Sequence, residues 1–128
     1  MNKFAKSSLL ITTAIVATLS ACGGSTTSSA PTTAVAADLV VKAISGLRLD
    51  QSQYTAVAGE ISVAYVNEDT IRHTLVIAQD GNAISGFTLK VNQKGDVDTG
   101  SIKLAAGNYV LLCTVPGHQN MKADLTVK

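Results

Sequence analysis

From Asp38 to the end of the chain, apolar and β-branched residues come in short alternating stretches cut by turn residues, and no stretch keeps a helical period. Leu39 to Ile44 is one such stretch. Ile61 to Val66 sets Ile61, Val63 and Tyr65 on one face, and Thr70 to Ala78 continues with Leu75 and Ile77. Ala83 to Val91, Val97 to Leu104, Gly107 to Thr114 and Met121 to Lys128 are further strand candidates, while Gln51 to Ala58 reads as strand or loop. The breaks fall at Asp80-Gly81, Gly95-Asp96 and Gly107-Asn108, where Gly and Asn tolerate positive φ. About seven or eight short strands at this spacing imply an all-β, two-layer antiparallel sandwich or barrel. No internal repeat and no second domain interrupts it.

The segment before Asp38 reads differently. Lys3 and Lys6 give a basic start, Leu9 to Leu19 is mostly apolar, and Leu19-Ser20-Ala21-Cys22 closes the run with small residues before a cysteine. This is the pattern of an export signal, and the apolar run is short for a bilayer span. The ending resembles the lipobox of bacterial lipoproteins, which implies lipid on Cys22 as the first mature residue. An ordinary secretory signal is the alternative. The stretch from Gly23 to Ala37, rich in Gly, Ser, Thr and Pro and without charge, has the composition of a flexible spacer. The expected organisation is a signal over 1–21, a lipid-anchored linker over 22–37 and one folded domain over 38–128.

Ten basic residues stand against nine acidic ones, and cleavage before Cys22 would remove Lys3 and Lys6. A near-neutral domain gives no reason to expect a nucleic-acid partner. The two cysteines are more informative. A lipidated Cys22 cannot form a disulfide, so Cys113 is expected as an unpaired thiol in an exported protein, where free thiols need a specific reason. Metal ligation supplies one.

Gly107-Asn-Tyr-Val-Leu-Leu-Cys113-Thr-Val-Pro-Gly-His118-Gln-Asn-Met121 brings three soft or borderline donors close together. Tyr109, Leu111 and Cys113 share one strand parity, which points Cys113 inward. Pro116 and Gly117 end the strand in a loop able to turn His118 and Met121 back toward the sulfur. His73 lies on an earlier strand with the parity of Leu75 and Ile77. Taken singly, each has an ordinary reading: a core histidine, a small buried thiol, a turn cap, a core methionine. Taken together they are both histidines, the one free cysteine and the one methionine beyond Met1. Two imidazoles and a thiolate with a weak axial thioether are the donors of a blue-copper centre.

Asn67-Glu-Asp-Thr-Ile-Arg-His73-Thr-Leu and Tyr109-Val-Leu-Leu-Cys113-Thr-Val-Pro-Gly-His118 resemble the cupredoxin family over roughly Asp38 to Lys128. The resemblance implies a Greek-key β-sandwich with one type 1 copper ion near one end, held by His73, Cys113, His118 and Met121, and electrons leaving through His118. Two positions depart from the common pattern. The Cys-x4-His spacing is joined to a short His-x2-Met spacing, which leaves the axial place of Met121 open. Thr74 stands where many members carry an asparagine that braces the cysteine loop. Asn67 is expected to brace a turn, the alternative being a hydrogen bond near the copper loops.

The function expected from these residues is a one-electron carrier, Cu(II)/Cu(I), exchanging with redox partner proteins. It is expected to be a monomer, lipid-anchored at Cys22 to a bacterial membrane and facing the periplasm or cell exterior. No catalytic role is expected: an inward Cys113 suits no nucleophile, and multicopper enzymes require more than two histidines. A periplasmic copper-binding carrier or sensor is the alternative reading of the same ligands. A structural zinc site fits poorly, since zinc prefers four short bonds and a thioether offers a weak one.

Overall fold

The computed structural model describes residues 35–128, all within one compact unit. The signal and lipidation readings at Lys3, Lys6, Leu9 to Leu19 and Cys22, and most of the linker, lie outside the described residues. Ten strands follow in order: β1 (Leu39–Ile44), β2 (Arg48–Leu49), β3 (Gln53–Ala56), β4 (Gly59–Asn67), β5 (His73–Gln79), β6 (Asn82–Ala83), β7 (Leu89–Val91), β8 (Val97–Leu104), β9 (Gly107–Leu112) and β10 (Lys122–Val127). Two sheets result. One is four-stranded in the order β2-β1-β4-β8, and the other runs β3-β10-β9-β5-β6 with β7 also paired to β5.

The all-β sandwich agrees with the sequence, and the strand count rises from seven or eight to ten for local reasons. The stretch read as one strand from Ala83 to Val91 splits into β6 and β7 at Ser85-Gly86, where Gly86 has φ +84 and cannot continue a strand. β2 is a two-residue strand turned back onto β1 by Gly46 and Leu47, both at positive φ. Gln51 to Ala58 resolves as β3. The sandwich is also not purely antiparallel, because β1 pairs in parallel with β4 and β3 in parallel with β10. Alternation tells which face of a strand is buried, not which neighbour it takes.

The alternate residues of both sheets meet in one core. Leu39, Val41 and Ala43 of β1 and Ile61, Val63 and Tyr65 of β4 face Leu75 and Ile77 of β5, Tyr109 and Leu111 of β9, and Leu125 and Val127 of β10. β5 carries little exposed surface on either face, since Val76 and Ala78 are buried as well. Just ahead of β1, the exposed Asp38 carboxylate accepts from the amide and hydroxyl of Ser62, midway along β4, at 2.8 and 2.6 Å. β4 then runs into the turn from Asn67 to Arg72 that leads to His73. The start of β5 lies there beside the end of β9, because Val76 pairs with Leu112 and Ile77 with Leu111. That meeting point holds the candidate ligands.

Candidate metal centre

The inward parity expected for the ligand strands is found. His73, Leu75 and Ile77 are all 0% exposed, and Tyr109, Leu111 and Cys113 are buried in the same way on the neighbouring strand. Beyond β9 the chain makes a turn over Val115-Pro116-Gly117-His118, closed by the His118 amide donating to the Val115 carbonyl at 3.0 Å. Proline at the second and glycine at the third position suit a type II turn, which requires positive φ at the third. Gly117 supplies it at +89. The turn folds His118 back until its Nδ1 is 3.6 Å from the Cys113 sulfur.

The loop then closes on itself. The Met121 amide donates to the His118 carbonyl at 2.8 Å, and the Cys113 amide donates to the Met121 carbonyl at 3.0 Å. The second bond continues the β9–β10 register, in which Lys122 already faces Leu112, by one more pair. Residues directly opposite in an antiparallel pair share a face. Met121 therefore stands across from Cys113 on its buried side, and it is 0% exposed. The short His-x2-Met spacing is what this tight closure accommodates.

The sulfur is braced from β5. The Thr74 amide donates to Cys113 Sγ at 3.5 Å, and the Thr74 hydroxyl lies 3.6 Å from the same atom. That hydroxyl also accepts from the Thr114 amide and pairs with the Thr114 hydroxyl, each at 2.9 Å. Thr74 thus braces both the sulfur and the residue after it. The amide reaching the sulfur comes from Thr74 on the neighbouring strand, whereas the loop amides of His118 and Met121 close the turn.

His73 is fixed by the turn that precedes it. The Asn67 side chain accepts from the Asp69 amide at 2.9 Å and donates to the Ile71 carbonyl at 2.8 Å, bracing the turn as expected. Asp69 then brings Oδ2 to within 3.2 Å of His73 Nε2. Sequence reading did not single out Asp69. Its only signal was an acid four residues before the histidine, and acids in turns are ordinarily solvated. Burial, as the leading cause, pushes His73 below the usual histidine range; the Asp69 hydrogen bond and charge oppose this and the His118 charge adds to it. Asp69 is itself held below the usual carboxylate range, first by the Thr70 amide, against the cost of burial, and further by His73 and the Ser45 hydroxyl.

One ring nitrogen from each of His73 and His118 and the sulfur of Cys113 lie within 4.8 Å of one another. The two rings are 5.1 Å apart and tilted by 49°. His73 Nδ1 is buried and has no hydrogen-bond partner. A buried polar atom left in that state costs about 1–3 kcal/mol. A buried ring nitrogen without a partner, beside a thiol and a second imidazole, fits a metal ion. With the thioether of Met121 on the same side, the donor chemistry is typical of a type 1 copper site.

No protein-family model matches the chain, and no curated protein does. Solved structures do resemble it. Auracyanin from the photosynthetic bacterium Roseiflexus castenholzii, in its dithionite-reduced form, is 23% identical over 70% of this chain and 95% of its own, with a TM-score of 0.57. Auracyanin A, a "blue" copper protein from Chloroflexus aurantiacus, is 19% identical over 70% and 96%, with a TM-score of 0.59. A purple cupredoxin from Nitrosopumilus maritimus is 19% identical over 71% of this chain and all of its own, with a TM-score of 0.57. At these identities the likeness establishes architecture, and the architecture is a cupredoxin-like β-sandwich.

Proposed function

We propose that this chain is a blue-copper one-electron carrier whose ion would be held by His73, Cys113 and His118, with Met121 offering a weaker thioether. The observation that carries the reading is the orphaned Nδ1 of buried His73, facing a cluster whose other members are a buried thiol and a second imidazole. Copper bound there supplies one-electron exchange between Cu(II) and Cu(I). The thiolate and thioether suit the reduced ion, and the imidazoles serve both states. The protein's part is to keep these donors in place while the charge changes. Thr74 clamps the cysteine from β5, the closed turn fixes His118, and the Asn67 turn fixes His73.

His118 is the partly exposed ligand, and Val115, Pro116 and Gly117 around it are uncharged. Electron exchange with partner proteins is proposed to pass through it, and docking on such a surface depends weakly on salt. We further propose that lipid on Cys22 tethers the carrier to a bacterial membrane, facing the periplasm or cell exterior. Mass spectrometry of membrane-extracted protein tests this: a diacylated mature N-terminus at Cys22 supports it, and an unmodified cysteine overturns it.

The copper reading is tested by the visible and electron-spin-resonance spectra of the Cu(II)-loaded chain. An intense thiolate charge-transfer band is expected, bleached by reduction with the metal retained and absent in Cys113→Ser. A Cys113→Ser spectrum equal to wild type refutes the assignment. Loss of copper on reduction favours a metal-delivery protein instead.

A further inference from the structure

We infer that Asp69 is a positioning residue for this centre, its carboxylate fixing His73 in the tautomer that presents Nδ1 to the metal and biasing the site toward its more positively charged oxidation state. The inference rests on the copper reading above and adds to it a determinant of the reduction potential.

The geometry assigns the tautomer. A neutral imidazole has one N–H, and a carboxylate can only accept. With Asp69 Oδ2 at 3.2 Å from Nε2, the proton belongs on Nε2 and the lone pair on Nδ1, the atom that faces the cluster without a partner. A metal-binding histidine with its second nitrogen bound to a carboxylate is both oriented and made more basic. The ring cannot turn over without breaking the contact to Asp69 and burying a proton against the thiol and His118.

The charge assigns the bias. Asp69 is 7% exposed, and its other oxygen accepts the Thr70 amide at 2.7 Å, so neutral groups hold it. Among the described residues no lysine or arginine lies within ion-pair distance of it; the one such pair joins Lys42 to Glu68. No cationic side chain among the described residues therefore offsets its negative charge. With a Cys113 thiolate and a divalent ion the buried group is neutral overall, and with a monovalent ion it carries one net negative charge. Buried net charge is disfavoured. Asp69 accordingly favours the divalent state and lowers the potential.

A purely structural role for Asp69, capping the turn through Thr70, predicts neither consequence. In the metal-free full chain at neutral pH, nitrogen NMR should find the His73 proton on Nε2; a proton on Nδ1 overturns the inference and needs no variant. In the copper-loaded chain, Asp69→Asn should raise the Cu(I)-to-Cu(II) affinity ratio by about tenfold, or 59 mV for a one-electron couple. An unchanged or lowered potential overturns the inference even where stability falls. If the unsubstituted chain lacks the intense band, the copper reading itself fails and takes this inference with it.

Discussion

Gly117 and Met121 show how much of the site rests on single backbone and side-chain choices. Gly117 holds φ +89, yet a Cβ there would meet nothing within 4 Å. Gly117→Ala therefore costs backbone strain alone, about 1–2 kcal/mol by denaturant unfolding, and Gly117→Asn should cost less because asparagine tolerates this region. Met121→Leu keeps the volume and removes the thioether. It should preserve the intense band and shift the reduction potential, and a potential equal to wild type would remove Met121 from the ligand set. His73, Cys113 and His118 were legible in the sequence because the folded segment has no other histidine or cysteine. Asp69 was not. Its closeness to His73 depends on how the Asn67 turn bends, and periodicity says nothing about that.

The strands hold the site through contacts between elements, and two of these are separable. Thr74 of β5 ties the residue after Cys113 by two contacts of 2.9 Å. Thr74→Val removes the hydroxyl and leaves the amide to the sulfur, so it should lower stability by about 1 kcal/mol, read as a shift in denaturant midpoint. In the other sheet, Ser62 of β4 holds the Asp38 carboxylate below its ordinary value of 3.8. The folded state thus binds fewer protons there than the unfolded one. Its stabilisation is complete above about pH 4 and is lost as the pH falls through the lowered value. The stability difference between wild type and Ser62→Ala should therefore shrink between pH 5 and pH 3, and a constant difference would remove Asp38 from the account. Strand positions were largely legible where glycine turns mark the ends. The parallel pairings of β1 with β4 and of β3 with β10 were not, since alternation is blind to partner choice. The split at Gly86 was missed because Phe87 and Leu89 keep the stretch apolar past the break.

For the molecule as a whole, ligands drawn from β5 and from the β9–β10 loop come together only when the sandwich is formed. An ion that binds this arrangement and not the unfolded chain stabilises by mass action, about 2.7 kcal/mol at a hundredfold excess over Kd. For a domain of this size each kcal/mol moves Tm by roughly 4–8 °C. Copper loading should raise Tm by more than 10 °C, and a chelator should return it; a Tm indifferent to copper would mean that the donors do not act as one site. That the domain is all-β was legible from alternation and turn spacing; the cupredoxin-like sandwich was legible only through the residues around His73 and Cys113.

The parallel run of β1 beside β4 has a directional consequence. Leu39 pairs with Val63 midway along β4, and Ala43 pairs with Asn67 at the turn that feeds His73. Four strand steps cover about 13 Å, so β1 begins that far from the turn and runs toward it. A pull on the chain just ahead of β1 therefore acts away from the Asn67 turn, and the start of β5 at His73 is spared it.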